Sequence, residues 1–176
     1  MDDLVNLPYL DSVVRESLRL LSPILNSARV ATRDDAIPLG SGSGVLRVKK
    51  GQEIIIPILA INKDKEIWGN DAEEFKPERW TRPEDLPESI PGAWSNMMTF
   101  LGGPRACIGW RFAVVEMKVL LYTLIHAFEF ELGVREEDVL IKRAFPTIRP
   151  VIRNSDSGGK DYYVGMPLIV RPVPVA

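Results

Sequence analysis

The residues best suited to chemistry lie in one short run, Phe100-Leu101-Gly102-Gly103-Pro104-Arg105-Ala106-Cys107-Ile108-Gly109. Cys107 is the single cysteine of the 176-residue chain, and a long apolar segment follows it directly. A cysteine in a glycine-rich loop at a helix N-terminus is placed to be a thiolate, because the positive end of the helix dipole stabilises the anion. Arg105, two residues earlier, carries a planar guanidinium that suits a carboxylate. The run therefore predicts a thiolate ligand beside an anion clamp.

These residue types match the needs of a haem site. A haem iron takes an axial ligand from the protein, and a thiolate donates more electron density than an imidazole does. Loop amides can donate hydrogen bonds to the sulfur and tune the iron. Gly102 is expected to permit a tight turn, and Gly109 to let the backbone approach a flat macrocycle. We therefore predict that Cys107 binds the iron, that Arg105 holds a propionate and that Phe100 shields the sulfur from water.

Two alternatives for Cys107 remain open at this point. Most free cysteines are small buried hydrophobic residues with no chemical role. Cys107 could also be a nucleophile paired with His126, the only histidine. The two residues fall at opposite ends of one predicted helix, and a rise of about 1.5 Å per residue puts them far beyond hydrogen-bond reach. His126 therefore reads as a packed or surface residue.

A second candidate site combines charged residues from distant parts of the chain. Glu16 and Arg19 lie three residues apart on the predicted first helix, so they share a face and can pair. Such pairs usually decorate a solvated surface. If Arg79, in the run Pro77-Glu78-Arg79-Trp80, folds back onto Glu16, the three charges form a buried network. Losing one member would then cost roughly 3–5 kcal/mol. The alternative for Arg79 is a surface arginine beside Trp80.

Periodicity and breaker residues predict the elements that position these side chains. Asn6 is expected to cap a first helix that ends before Pro23. Segment 40–44 predicts a flexible loop, and segment 68–91 an ordered meander whose aromatic side chains need packing partners. A long helix should follow the cysteine loop, from about Trp110 to Ala127. The predicted short strands lie at 28–31, 45–48, 54–56, Phe128–Leu132, Thr147–Arg153 and Tyr162–Val170, with a helical turn at 57–62 and a hairpin turn at 156–159.

Composition and charge narrow the class of protein. The net charge of −2 gives no indication of nucleic acid as a partner. One cysteine cannot form an internal disulfide, which suits a reducing compartment. Asp2 and Asp3 follow Met1 where a signal peptide would be basic, so no leader is expected. The longest apolar segment, from Phe112 to Phe130, is broken by charged residues and predicts a buried helix rather than a membrane span.

With these motifs in order, the chain resembles the cytochrome P-450 family of haem-thiolate monooxygenases, most of all its fungal members. Glu16-Ser17-Leu18-Arg19 is similar to the family's E-x-x-R on helix K. Pro77-Glu78-Arg79-Trp80 resembles its P-E-R-F segment, with Trp in place of Phe. Residues 100–109 match every defined position of its haem-binding pattern. The resemblance implies an α+β chain, the C-terminal part of the mainly α-helical P-450 fold: helix K, a small β-sheet, meander, cysteine loop, helix L and a β-hairpin tail.

The resemblance also implies roles for individual residues. Cys107 would be the axial ligand of haem b (iron protoporphyrin IX), Arg105 a propionate partner and Arg29 a looser second one. Glu16, Arg19 and Arg79 would form a structural triad. Segments 27–30 and 147–150 would border the pocket of a small organic substrate. An NADPH-dependent reductase would supply electrons. Two cations, Arg111 and Lys118, could help dock it, and the alternative for both is an ordinary solvated charge.

The resemblance covers only the later part of the family's length, so residues 1–176 are expected to be a single-domain fragment that begins just before helix K. The oxygen-activating distal helix and the membrane anchor would then be absent. The family's place is the cytosolic side of the endoplasmic reticulum membrane, whereas an anchorless fragment would be cytosolic or peripheral. Roughly 200 Å² of lost haem contact would cost roughly 5 kcal/mol. Two hypotheses follow: the haem-ligating portion of a monooxygenase, or a truncated non-catalytic fragment that binds haem weakly or not at all.

Overall fold

The structure, a computed structural model, describes residues 7–40, 44–82, 84, 86–87, 90–144, 147–154 and 161–173. Two helices dominate these residues, and both were predicted from the sequence. The first begins at Pro8, where a proline costs no hydrogen bond, and the second starts three residues after Cys107. The α-helices are α1 Pro8–Leu20, α2 Ile58–Asn62, α3 Lys65–Trp68 and α4 Trp110–Ala127, and short 3₁₀ turns span Pro77–Thr81, Gly103–Arg105 and Glu136–Asp138.

The strands form small antiparallel sheets, so the α+β class predicted from the sequence is confirmed. Strand β1 pairs with β4, β2 with β3 and β5 with β9, while β6, β7 and β8 form a three-stranded sheet in that order. The bounds are β1 Ser27–Val30, β2 Asp35–Pro38, β3 Val45–Val48, β4 Glu53–Ile56, β5 Phe128–Leu132, β6 Val139–Ala144, β7 Thr147–Arg153, β8 Tyr162–Val164 and β9 Leu168–Pro172.

Several predicted elements differ from the structure. The single strand expected at Tyr162–Val170 is two strands, because β8 pairs with β7 while β9 crosses to β5. Strands β2 and β6 were not predicted. The residue before α1 is Leu7, which makes no side-chain capping bond, and the predicted cap Asn6 lies outside the described residues. The predicted hairpin turn at 156–159 and positions 41–43 of the predicted loop also lie outside them.

The hydrophobic core lies where α1, α4 and the meander meet. Val14 and Leu18 lie one helical turn apart on α1 and face this core. Val114 of α4 packs from the other side, and Trp68 and Met97 close the cluster from the meander. The core therefore joins the helix that carries Glu16 and Arg19 to the helix that follows Cys107.

A connected row of rings and guanidinium groups runs along one side of this core, and it includes all four tryptophans of the chain. We call it the tryptophan row. Arg15 lies 5.8 Å from the ring centre of Trp80 and 4.9 Å from that of Trp94. Trp68 continues the row beyond Trp80 at 5.7 Å, and Trp110 beyond Trp94 at 6.3 Å. Cation–π contacts of this kind add to the burial of the rings.

Helix α4 is less covered than the sequence predicts. It was expected to be a buried helix, but α1 and the meander meet only one side of it, and large apolar side chains on the remainder stay exposed. Phe112 is 72% exposed, and Ile108, just before the helix, is fully exposed at 104%. Phe75 of the meander is also exposed, although a packing partner was expected for it. No helix among the described residues is long and apolar enough to cross a membrane.

Candidate functional site

The cysteine loop folds back on itself through backbone hydrogen bonds. The amide of Cys107 donates to the carbonyl of Phe100 at 2.8 Å, and the amide of Ala106 donates to the carbonyl of Gly103 at 3.1 Å. Helix α4 follows at Trp110, so the positive end of its dipole faces the loop. Cys107 is exposed. The alternative that Cys107 is a small buried hydrophobic residue is therefore wrong.

The two glycines at the start of the loop have different functions. Gly102 is extended, and a Cβ atom there would lie 1.7 Å from the carbonyl oxygen of Pro91. The left-handed backbone conformation falls instead on Gly103, at a φ of 68°, and on Leu101, at 57°. The prediction that Gly102 makes the tight turn is therefore corrected. Gly103 turns the chain, and Gly102 allows the meander and the loop to touch.

An apolar cavity of about 390 Å³ opens in front of the loop. Cys107, Arg105 and Phe100 line it together. The ring of Phe100 packs edge-on against Trp94, with 6.0 Å between ring centres. The remaining walls come from Leu18, Pro23, Ile24, Ser27, Ile58, Thr99, Leu101, Ala113 and Met117. The structure thus brings one thiol and one guanidinium together on an otherwise apolar surface.

The glycine at the C-terminal end of the loop faces open space. An added Cβ on Gly109 would meet no described atom within 4 Å, and its φ of −92° suits any residue. Packing within the described residues therefore does not require a glycine there. The absent side chain leaves room beside Cys107, as a macrocycle lying against this backbone would need.

The two arginines predicted to hold propionates differ in position. Arg105 is exposed on the cavity rim, and no acceptor among the described residues takes a hydrogen bond from its guanidinium. Arg29, on β1, donates from Nη1 to Ser27 Oγ and to the Ala28 carbonyl, both at 2.8 Å. Ser27 lines the cavity and Arg29 does not. The structure therefore brings Arg105 to Cys107 and leaves Arg29 outside the cavity lining.

Glu16, Arg19 and Arg79 meet in one buried network. Arg19 donates Nε to Glu16 Oε2 at 2.9 Å and Nη2 to Oε1 at 2.8 Å. Arg79 donates Nε to Oε1 at 3.0 Å, and the Trp80 indole donates to Oε2 at 2.9 Å. The amide of Lys76 completes the set at 3.0 Å. Arg79 is 2% exposed, so the alternative of a surface arginine is wrong.

The arginines also hold the end of α2 and the meander by their backbone carbonyls. Arg19 Nη1 donates to the carbonyls of Asn62 and Ala72. Arg79 donates Nη2 to the carbonyl of Asp71 at 2.9 Å and Nη1 to its carboxylate at 3.2 Å. Both guanidinium groups therefore hydrogen-bond to carbonyls of the meander and hold it against α1.

The carboxyl of Glu16 is ionised in this network. Burial raises the pKa of Glu16, but the hydrogen bonds from Arg19, the Lys76 amide and Arg79 lower it by more, and the net pKa lies below its ordinary value. The pKa of Asp71 is also below its ordinary value, chiefly because Lys76 donates to its carboxylate at 2.6 Å. The network is thus a carboxylate held by two permanent cations.

One residue of the site has no distinguishing feature in the sequence. Asn62 ends α2, is fully buried, and hydrogen-bonds the segment that leads into the cysteine loop. Its Oδ1 accepts the amide of Met98, and its Nδ2 donates to Thr99 Oγ1, both at 2.8 Å. A lone asparagine before Lys63-Asp64 reads as an ordinary turn residue, so the sequence alone could not have found it.

Two other predicted residues lie away from the cavity. Lys118 was expected on the surface as a docking cation, but its side chain is 4% exposed and its Nζ lies 2.6 Å from Asp11 Oδ1. That expectation is wrong, because the ion pair with α1 draws the side chain inside. Arg111 is exposed above the ring of Trp110 at 4.4 Å. His126 stacks on Tyr122 near the far end of α4.

Sequence comparison identifies the family. A family model described as cytochrome P-450 matches residues 1–152. The chain belongs to the cytochrome P-450 family. P-450 membership implies a haem cofactor, and it agrees with the fold class, since the small sheets, meander and single cysteine loop are those of the family's C-terminal part.

Fungal P-450 proteins are the relatives that match. Cytochrome P-450 monooxygenases 205 and 128 of Postia placenta are each 48% identical to the chain and cover 98% and 97% of it. A ganoderic acid synthetase of Ganoderma lucidum is 47% identical over 74% of the chain. The chain spans about a third of the length of the first two relatives, 32% of each.

The residues of the site fit a P-450 haem. Within the described residues no group of three His, Cys, Asp or Glu side chains could hold a bare metal ion, whereas a haem iron needs only one protein ligand. The chain offers one exposed thiol, apolar walls, an arginine with no acceptor in the described residues, and open space at Gly109. This donor set suits a large apolar ring with anionic edges.

Proposed function

We propose that this chain is the haem-ligating part of a P-450 monooxygenase that oxidises a small organic substrate with molecular oxygen. Cys107 is the axial ligand of haem b. The observation that carries the proposal is the exposed thiol of Cys107 on an apolar cavity that Arg105 and Phe100 also line. When bound, the haem supplies the iron at which oxygen is reduced and split, and a thiolate ligand favours that chemistry.

Five residues in or near the cavity have defined roles in this proposal. Cys107 holds the iron as a thiolate, which the dipole of α4 favours. Arg105 donates its guanidinium to a propionate, and Gly109 leaves the ring room to approach the backbone. Phe100 keeps water from the sulfur. Arg29 is a second propionate partner once its Nη1 leaves Ser27 Oγ.

The charged network supports the proposal because it holds α1, a helix that lines the cysteine cavity, against the meander. Glu16 and Arg19 lie on α1, the helix K of the family, and Arg79 lies on the meander. The same helix contributes Leu18 to the cavity wall. The triad therefore acts by holding structure rather than by touching the substrate.

The substrate pocket is proposed to lie beside segments 27–30 and 147–150. Ile24 pairs with Thr147 in an isolated antiparallel bridge, so the chain after α1 meets the start of β7. Pro23 lines both the cysteine cavity and a second apolar cavity of about 350 Å³ beside Ile148 and Pro150. Apolar walls on both sides favour an apolar organic substrate.

Electron delivery and location follow the family in this proposal. An NADPH-dependent reductase supplies electrons from the cysteine side, where Arg111, in the first turn of α4, is an exposed cation. The whole protein is placed at the cytosolic side of the endoplasmic reticulum membrane. Both statements concern the intact P-450 rather than a contact of the described residues.

A second candidate is a non-catalytic chain that binds haem weakly or not at all. The full exposure of Ile108 and the 72% exposure of Phe112 favour it, because the described residues leave these apolar side chains near Cys107 largely uncovered. A haem held on such an open surface would admit water freely.

The test is a haem titration of the 176-residue chain followed by reduction and carbon monoxide. Thiolate ligation gives a red-shifted Soret band, and Cys107→Ala should abolish it. His126→Gln is the control, because it removes the only histidine without touching the cavity, and it should keep the band. A folded chain that takes up no haem would contradict the first candidate and support the second.

A further inference from the structure

We infer that Asn62 is the positioning residue that couples the Glu16–Arg19–Arg79 network to the cysteine loop, an inference that rests on the proposed role of Cys107. Asn62 is buried, with an exposure of 0%. Its Oδ1 accepts the Met98 amide and its Nδ2 donates to Thr99 Oγ1. Every polar atom of this carboxamide is thus directed at the two residues just before Phe100.

The backbone of the same residue is held by the charged network. The carbonyl of Asn62 accepts from Arg19 Nη1 at 2.8 Å, and Arg19 is clamped by Glu16. Thr99 Oγ1 returns to α1 by donating to the carbonyl of Leu18 at 2.8 Å. Asn62, Thr99 and two successive residues of α1 therefore close a ring of hydrogen bonds.

A short relay leads from this ring to Cys107. The carbonyl of Met98 accepts the amide of Leu101 at 2.8 Å, and the carbonyl of Phe100 accepts the amide of Cys107 at 2.8 Å. Thr99, Phe100 and Leu101 line the same cavity as Cys107. A displacement of Met98 or Thr99 would therefore move the carbonyl that fixes the Cys107 backbone.

The site requires both a donor and an acceptor from one side chain. The Met98 amide can only donate, so it needs the acceptor Oδ1. The hydroxyl hydrogen of Thr99 has the Leu18 carbonyl at 2.8 Å and Met97 Sδ at 3.4 Å as acceptors, so Oγ1 accepts from Nδ2. An aspartate would offer two acceptors and a buried charge, and a leucine would offer neither group.

The test compares Asn62→Leu with Asn26→Leu, the same change at an exposed asparagine. In the haem-free 176-residue chain we expect Asn62→Leu to speed hydrogen exchange at the Met98 and Cys107 amides about tenfold or more. The amides of β5 should be unchanged. After haem loading, a smaller share of the reduced carbon monoxide complex should show the red-shifted band. Asn26→Leu should match wild type in both measurements.

A second pair keeps the test decisive if Asn62→Leu does not fold. Thr99→Ser keeps the hydroxyl and should show the same amide exchange and spectrum as wild type. Thr99→Val removes the hydroxyl and should behave like Asn62→Leu. The inference would be overturned if Asn62→Leu and Thr99→Val both left amide exchange at Met98 and Cys107 unchanged and kept the wild-type spectrum. Ligation of haem by Cys107 would still stand in that case. Uniformly faster exchange, including β5, would also overturn the inference. A wild-type chain without the thiolate band would overturn the proposed function instead.

Discussion

The Nε atom of Arg79 lies 3.0 Å from Oε1 of Glu16, although 63 residues separate them in the chain. Glu16 accepts five N–H groups in all, which come from Arg19, the Lys76 amide, Arg79 and the Trp80 indole. Each carboxylate oxygen therefore has at least two donors. Such a carboxylate cannot be replaced without leaving buried donors unpaired, so it links α1 to the meander more firmly than an exposed pair would.

Removal of the Glu16 carboxylate should destabilise the chain strongly. We expect Glu16→Ala to lower the free energy of unfolding by about 3–5 kcal/mol, because two buried guanidinium groups lose their counter-charge. Urea unfolding followed by far-ultraviolet circular dichroism measures the change. Glu131→Ala breaks the exposed pair with Arg171 and should stay within about 0.5 kcal/mol of wild type. Equal losses in the two variants would contradict a special role for the network.

The network should also make stability depend on pH in the acid range. The folded pKa of Glu16 lies below its unfolded value of about 4.3, so the stabilisation is complete above that pH and is lost as the pH falls through the folded pKa. Asp71 acts in the same direction. Urea midpoints measured from pH 7 down to pH 3 should decrease once the pH is below about 4.3. The urea midpoint of Glu16→Gln should decrease less steeply with falling pH. An identical slope in the variant and wild type would refute the assignment of this pH dependence to Glu16.

Two of the three glycines of the loop, Gly102 and Gly109, should respond differently to alanine. Gly102→Ala puts a Cβ on the Pro91 carbonyl oxygen, so we expect a loss of more than about 3 kcal/mol or failure to fold. Gly109→Ala meets no described atom and should change stability by less than about 0.5 kcal/mol. If a haem occupies the open space, Gly109→Ala should nevertheless weaken haem uptake in a titration. A neutral Gly102→Ala would show that the meander moves away from the loop.

Arg105 should contribute to haem affinity and little to folding. Arg105→Leu removes the one cavity cation, so we expect the Kd for haem to rise roughly tenfold or more, while Arg105→Lys recovers part of the loss. Thermal unfolding of the haem-free chain should be unchanged in both, because no described residue accepts from Arg105. Arg111→Leu, an exposed arginine outside the cavity, is the matched control. An unchanged Kd in Arg105→Leu would exclude a propionate contact.

Local pattern in the sequence was enough to predict several elements of the fold. Helix α4 at Trp110–Ala127 and strands Phe128–Leu132 and Thr147–Arg153 have the predicted bounds, because the apolar pattern of each segment marks it locally. Strand β2 contains Asp35 and Pro38 and is exposed throughout, so no burial pattern marks it. The segment Gly165-Met166-Pro167 separates β8 from β9, and only tertiary pairing shows that the two strands join different sheets.

Charge pattern was a weaker guide to the site. The spacing of Glu16 and Arg19 predicts a pair, but Arg79 was expected as its third member only through the P-E-R-W segment and the family resemblance, and the structure brings the three together. Lys118 reads as a solvated cation, since nothing in its own helix reveals Asp11 on α1 as its partner. Asn62 makes its bonds through a side chain that is common in turns, so the sequence gives no sign of its function. In both cases long-range packing, rather than local preference, decides the role.

The tryptophan row confines the tryptophan fluorescence of this protein to one part of the fold. All four indoles lie between α1, the meander and α4, and ring centres of neighbours are 5.7 Å and 6.3 Å apart around the guanidinium of Arg15. Tryptophan fluorescence, excited selectively over tyrosine, therefore reports on the part of the chain that carries the charged network and the cysteine loop. The tail sheets contain no indole, so their melting would leave the emission unchanged. A gap between fluorescence and far-ultraviolet transitions would reveal the two halves unfolding separately.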